Sequence, residues 1–143
     1  MAELRLVRSM TLGKLNKLLA AEPALARYKV RVLLKRDQDD LARVPVDRVE
    51  FDERDADLNL VVGQSSAAAT IPDLAALLST SRAYPDSTPL FVRHYVDPGL
   101  HAPDFQISHR DTPIYSYATE PETETLGLLE WFEGVEDLLD DQT

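Results

Sequence analysis

At 143 residues, 44% apolar and 28% charged, the chain suits one ordinary domain with a real core and excludes collagen-like and wholly disordered architectures. The absence of cysteine removes disulfides, thiolate nucleophiles, Cys-ligated zinc and iron–sulfur clusters. The net charge of −10 is unevenly spread: residues 1–36 hold nine Lys and Arg against two acids, residues 37–143 six Arg against 23 acids.

Glu3–Arg8 alternates Leu4 and Leu6 with Arg5 and Val7, the pattern of a half-buried strand. Ser9 or Thr11 then offers a cap, and Leu12, Leu15, Leu18 and Leu19 recur at helical spacing until Pro23. Lys29–Lys35 reads as a strand with Val30, Val32 and Leu34 inward and Arg31 and Lys35 outward. Beyond the polar loop 37–40, Val44–Phe51 and Leu58–Val62 read as strands joined by the charged connection Asp52–Asp57. Gln64–Thr70, small and polar, reads as a linker. Thr70-Ile-Pro-Asp73 carries a hydroxyl cap, a first-turn proline and an acid, which predicts a helix burying Leu74, Leu77 and Leu78 and ending at Tyr84–Asp86. Leu90–Val96, Phe105–His109 and Ile114–Ala118 read as strands. Thr119-Glu-Pro-Glu122 repeats the hydroxyl–x–Pro–acid start and predicts a last helix reaching Asp140. The expected fold is a single α+β domain over 1–143, an antiparallel sheet of about five to six strands covered by two or three helices. Within it, a helix–strand–hairpin unit (3–63) and a linker (64–70) precede a unit of helix, strands and acidic helix (71–143).

Met10-Thr-Leu-Gly-Lys-Leu-Asn-Lys-Leu-Leu19, followed by Val30–Leu34, Val44–Phe51 and Leu58–Gly63, resembles a type of small uncharacterised protein of phage and actinobacterial genomes. Those proteins open with a Met-Thr-Val-Gly-x-Leu helix followed by a strand and a hairpin that often carries Pro-Val-x-x-Val, here Pro45-Val-Asp-Arg-Val49. The resemblance covers residues 10–63 and implies a fold fragment and a phage or mobile-element origin, with no activity and no catalytic residue to carry over.

The three histidines, His94, His101 and His109, fall in one stretch with Asp97, Asp104 and Asp111. Imidazole and carboxylate are the ligands a zinc or iron site would use in a chain without cysteine. Alternation puts His94 with Leu90, Val92 and Val96, and His109 with Phe105 and Ile107. If the two strands pair, the rings meet on one face, with His101 and Asp104 arriving from the loop. Against this, the spacing matches no metal motif, and a histidine on an apolar strand face is ordinarily a hydrogen-bonded core residue. No Gly-x-Ser-x-Gly elbow, phosphate-binding loop or dinucleotide fingerprint is present, and no cofactor is expected.

The predicted last helix places Leu128, Trp131, Phe132, Val135, Leu138 and Leu139 on one face and Glu130, Glu133, Asp137 and Asp140 on the other. Residues 120–143 hold nine acids and no base, and acids at a helix C-terminus oppose its dipole, so local stability does not account for them. The candidate partner-binding set is Glu130, Trp131, Glu133, Glu136, Asp137, Asp140 and Asp141. The function these features predict is a non-enzymatic, acidic protein-binding regulator or inhibitor that occludes a basic, nucleic-acid-binding surface of a host protein. Two alternatives stay open: an immunity or antitoxin-like protein neutralising a basic toxin, and a small metal-dependent enzyme built on the histidines. The acidic balance predicts no direct nucleic-acid partner. The basic start and acidic end offer a head-to-tail route to a homo-oligomer. No apolar run reaches the roughly 18 residues of a membrane span. Met1–Met10 lacks a signal-peptide stretch, and the expectation is a cytoplasmic protein.

Overall fold

The computed structural model describes residues 10–37, 40–63, 71–96 and 108–132. Glu3–Arg8, the linker 64–70, and all of the predicted last helix beyond Phe132 lie outside them. Helix α1 spans Leu12–Ala21, capped by Thr11, whose hydroxyl accepts from Lys14 N at 3.3 Å. It ends one residue short of Pro23, because a proline disfavours helical backbone in the residue before it. A 3-10 turn follows over Pro23–Arg27 and buries Leu25. Strands β1 (Lys29–Asp37), β2 (Asp40–Pro45), β3 (Arg48–Asp52) and β4 (Asp57–Val62) lead to α2 (Leu74–Thr80). Asp73, not Thr70, caps α2, accepting from Ala76 N at 2.8 Å. Strands β5 (Leu90–Val96), β6 (Ser108–Glu120) and β7 (Thr125–Glu130) complete the fold. Neither helix is long and apolar enough to cross a membrane.

The sheet differs from the antiparallel sheet of about five to six strands expected above. It has seven strands in the order β2-β1-β7-β6-β5-β4-β3, and it is mixed, because β1–β7 and β4–β5 run parallel. The β4–β5 pair is parallel because α2 lies in the connection and returns the chain to the starting end of the sheet. The β1–β7 pair exists because the segment predicted to open the last helix is a hairpin. Pro121–Glu124 turns between β6 and β7, with Glu124 at φ 49°. All six residues of β7 are buried. A strand buried on both faces loses its period-two signature, so its leucines fall at intervals that a helix also satisfies.

Two long paths form the corners of the sheet. Strand β6 continues through Pro113, merging the two separate strands expected there. Its first half pairs with β5 and its second with β7. Proline lacks the N–H a ladder needs, and it sits where β6 hands over from one neighbour to the other, beside a register shift between Ile114 and Ser116. The expected strand Val44–Phe51 breaks at Val46–Asp47. Its first part pairs with β1 and its second with β4. That two-residue link holds the end of β2 and the start of β3, on opposite edges of the sheet, within about 11 Å of each other, so the sheet curls round on itself. Each half of the sheet then repeats one scheme, an outer strand antiparallel to a parallel pair that is antiparallel to β6.

The core lies inside this curl. Val30, Val32, Leu126 and Leu128 from one half meet Leu58, Leu60, Leu90 and Val92 from the other. Ile114 at the β6 corner and Val46 at the β2–β3 corner belong to the same cluster, as do Leu12, Leu15, Leu25, Leu74 and Leu77 of the helical layer.

Candidate functional site

The outward face of the β3–β4–β5–β6 half carries two of the four buried charged residues among those described, Asp57 and Arg93, with further charged side chains around them. Alternation sends Arg48, Glu50 and Asp52 of β3 to this face, with Asp57 and Asn59 of β4, Arg93 and Tyr95 of β5, and His109 and Asp111 of β6. The registers Arg93↔Asp111, Tyr95↔His109 and Glu50↔Asn59 set them side by side.

Arg93 is the centre of the group, with its side chain only 9% exposed. Its Nε and one terminal nitrogen donate to the two carboxylate oxygens of Asp111 at 2.9 and 3.0 Å, and the other terminal nitrogen donates to Glu50 at 3.1 Å. Asp52 stands 3.9 Å away. Glu50 also accepts from Arg48 Nε at 3.0 Å and from the Tyr95 hydroxyl. His109 Nδ1 lies 3.0 Å from Asp111, and its ring meets Tyr95 edge-on, centroids 5.7 Å apart.

Charge and burial set the protonation of these carboxyls. Burial pushes Glu50 up, but hydrogen bonds from Tyr95, Arg48 and Arg93 outweigh it and leave the group below its ordinary value. Asp111 is likewise raised by burial, and more than compensated by Arg93 and His109. Asp57 goes the other way: burial raises it, the Asn59 hydrogen bond offsets part of the rise, and the charges of Asp52, Asp55 and Asp111 add to it. The arrangement is an ionised carboxylate array fixed by a central guanidinium, beside an exposed acidic turn holding Glu53 and Asp55.

The candidate histidines do not converge. Strands β5 and β6 pair as expected, yet His109 lies opposite Tyr95 and His94 opposite Arg110, which puts the two rings on opposite faces of the sheet. A register offset of one residue reverses the face of every side chain. His94 turns inward and meets Glu130, which also accepts from the Thr112 hydroxyl at 2.6 Å. His101 and Asp104 lie outside the described residues, among which no group of three or more His, Asp or Glu side chains is placed to hold a metal ion.

Of the candidate partner-binding residues, Glu130 is 8% exposed, and its contacts with His94 and Thr112 reach across β6 from one half of the sheet to the other. Trp131 is half-buried and packs with Phe132, Tyr115 and Leu41 around Leu33 and Leu129, on the outward face of the β1–β7 half. Glu133, Glu136, Asp137, Asp140 and Asp141 lie outside the described residues. Charged side chains of the β1, β2 and β7 region find local partners. Basic β1 lies beside β7, Arg43 forms a two-point pair with Glu120 at 2.7 and 2.8 Å, and Lys35 stands 4.8 Å from the Phe132 ring centre.

The sequence reading missed Arg93. The available signal was a lone arginine inside the apolar run Leu90–Val96, where an unpaired charge would be costly. No protein family, curated protein or solved structure matches the chain.

Proposed function

We propose that the protein is a non-catalytic regulator that binds a basic protein surface through the carboxylate-bearing face of β3–β6 and its β3–β4 turn. The observation that supports this reading is the Arg93 network. A nearly buried guanidinium holds Glu50 and Asp111 in fixed positions before any partner arrives. Six acids (Glu50, Asp52, Glu53, Asp55, Asp57, Asp111) share the face and turn with three arginines (Arg48, Arg54, Arg93), an excess of negative charge. Carboxylates already ordered lose little freedom on binding, and their potential steers a cationic surface toward them. The mechanism is occlusion of a site that otherwise receives phosphate or another acidic ligand. Of the C-terminal set predicted from sequence, Glu130 is engaged internally, and Glu133, Glu136, Asp137, Asp140 and Asp141 lie outside the described residues.

The test is affinity capture of the bound protein at low salt, with elution along a gradient from about 50 to about 500 mM, where screening shortens from roughly 14 to 4 Å. Release should track rising salt, and a Glu53→Lys/Asp55→Lys variant should capture at least tenfold less. Equal capture by the variant, or retention that ignores salt, refutes the reading.

A further inference from the structure

Between α1 and the end of α2 lies an open groove of about 360 Å³, within the size range of small-molecule sites. Leu12 and Leu19 of α1 and Leu78 of α2 give it an apolar wall, and Ser81, Arg82 and Asp86 stand at its polar side. Its geometry is held firmly. Gly13 N donates to the Asp86 carbonyl at 2.8 Å, Leu12 N to Thr88 O at 3.0 Å, and Asn16 Nδ2 to Asp86 Oδ1 at 3.1 Å. A Cβ on Gly13 would come within 2.9 Å of Asp86, so this close approach requires glycine. Tyr84 closes one side and is itself fixed by stacking on Phe51, with ring centres 4.2 Å apart.

Three polar groups here have hydrogen-bonding capacity left unused. Ser81 is 2% exposed, and its hydroxyl has no hydrogen-bond partner. The hydroxyl is not needed to end α2, because the Ser81 backbone N–H already closes the helix onto Leu77 and Ser79. The hydroxyl is sealed from solvent, and a turn of the Ser81 side chain toward the groove it lines would let a ligand acceptor relieve the standing cost of an unpaired buried group. Arg82 is exposed, and its guanidinium has no partner among the described residues. Asp86 uses only Oδ1, toward Asn16, and Oδ2 has no partner among the described residues.

A cation, an anion and an apolar wall in one groove match a small zwitterion with a hydrophobic side chain. We propose that this groove binds an apolar α-amino acid, with its carboxylate on Arg82 and the Ser81 hydroxyl, its ammonium on Asp86 and its side chain against Leu12, Leu19 and Leu78. Asp86 disfavours a phosphate or a simple carboxylate, and Arg82 disfavours a simple amine.

Isotope-labelled full-length protein titrated with leucine, 4-methylpentanoate and 3-methylbutylamine, read by amide chemical shifts, tests the assignment. Leucine should give saturable shifts confined to residues 12–19 and 78–86, with a Kd below about 10 mM, while the two analogues bind at least tenfold more weakly. Arg82→Met, at an exposed position, should weaken leucine at least tenfold. Ser81→Ala should also weaken it, yet should raise Tm in the absence of ligand by about 2 °C or more, since it removes the unpaired hydroxyl. A purely structural serine would not couple those two opposite effects. Absence of saturable shifts, equal binding of either analogue, or undiminished affinity in Arg82→Met overturns the proposal.

Discussion

Arg93 sits in mid-strand between Val92 and His94, and three flanking carboxylates approach its guanidinium. Removing a partner from a buried ion network leaves the remaining charges without compensation, a loss of about 3 to 5 kcal/mol. Arg93→Met should therefore lower the urea midpoint sharply. Arg93→Lys should fall between, since a point charge cannot reproduce the two-toothed grip on Asp111. The pH dependence has a definite sign. Glu50 and Asp111 titrate below their ordinary values in the folded chain, so their contribution is complete above the unfolded carboxylate values of roughly 4. It is lost as pH falls through the lowered folded values. The stability gap between wild type and Arg93→Met should hold steady from about pH 5 to 7 and narrow below about pH 4, measured by urea unfolding at each pH. A gap independent of pH would mean that the network does not hold those carboxylates ionised. At this scale the sequence was legible only in part. Alternation along β5 separates Arg93 and Tyr95 from His94, but which face His109 shares depends on its register with β5, and no local pattern carries that information.

The hairpins β3–β4 and β6–β7 share a design at the level of the element. Each has a four-residue turn whose last residue lies in the left-handed region, Ala56 at φ 55° and Glu124 at φ 49°. Neither is glycine, so each carries a steric cost that glycine does not. Ala56→Gly and Glu124→Gly should each stabilise the protein by about 0.5 to 1 kcal/mol by thermal melts, because relief of strain exceeds the added unfolded-state entropy. Substitution by valine should do the reverse. Destabilisation by either glycine variant would contradict the turn geometry. The same elements show what was readable in advance. Helix α1 carries its cap, its leucine stripe and its proline stop within a dozen residues, and the structure follows them. Strand β1 alternates over its first residues, with Lys29 exposed, Val30 and Val32 buried and Arg31 half-buried, until Leu33 is covered on the outward face as well. Strand β7 was hidden because both of its faces are covered. Leu126 and Leu128 enter the main core while Leu129 joins Leu33 on the outward face, so apolar residues follow one another without a period. Gly127 is the residue that speaks for a strand there. A Cβ at that position would come within 2.8 Å of the Leu33 side chain, a closeness set by a neighbour 94 positions away in the sequence.

Across the whole molecule, the order of the sheet ties the two ends of the described chain together. Strand β1 reaches its full set of neighbours only when β7 arrives, and β4 only when α2 has carried the chain round to β5. The β6 and β2–β3 paths each pair with both halves, and one apolar cluster draws residues from both halves and from the helical layer. Neither half can open without exposing that cluster, so a loss in one half should be felt in full by the other. Trp131, the single tryptophan of the chain, packs with Leu33 and Leu129 on the β1–β7 half, whereas Arg93 anchors the β3–β6 half. This gives an internal reporter remote from the perturbation. Urea unfolding followed by Trp131 fluorescence and by far-UV circular dichroism should give superimposable curves with one midpoint. Arg93→Met should shift both curves equally, without changing their slope. Were the two halves separate cooperative units, the variant would move the dichroism curve and leave the tryptophan transition in place. The shared corner at Ile114, buried between the pairing of β6 with β5 and its pairing with β7, is the physical reason to expect one transition.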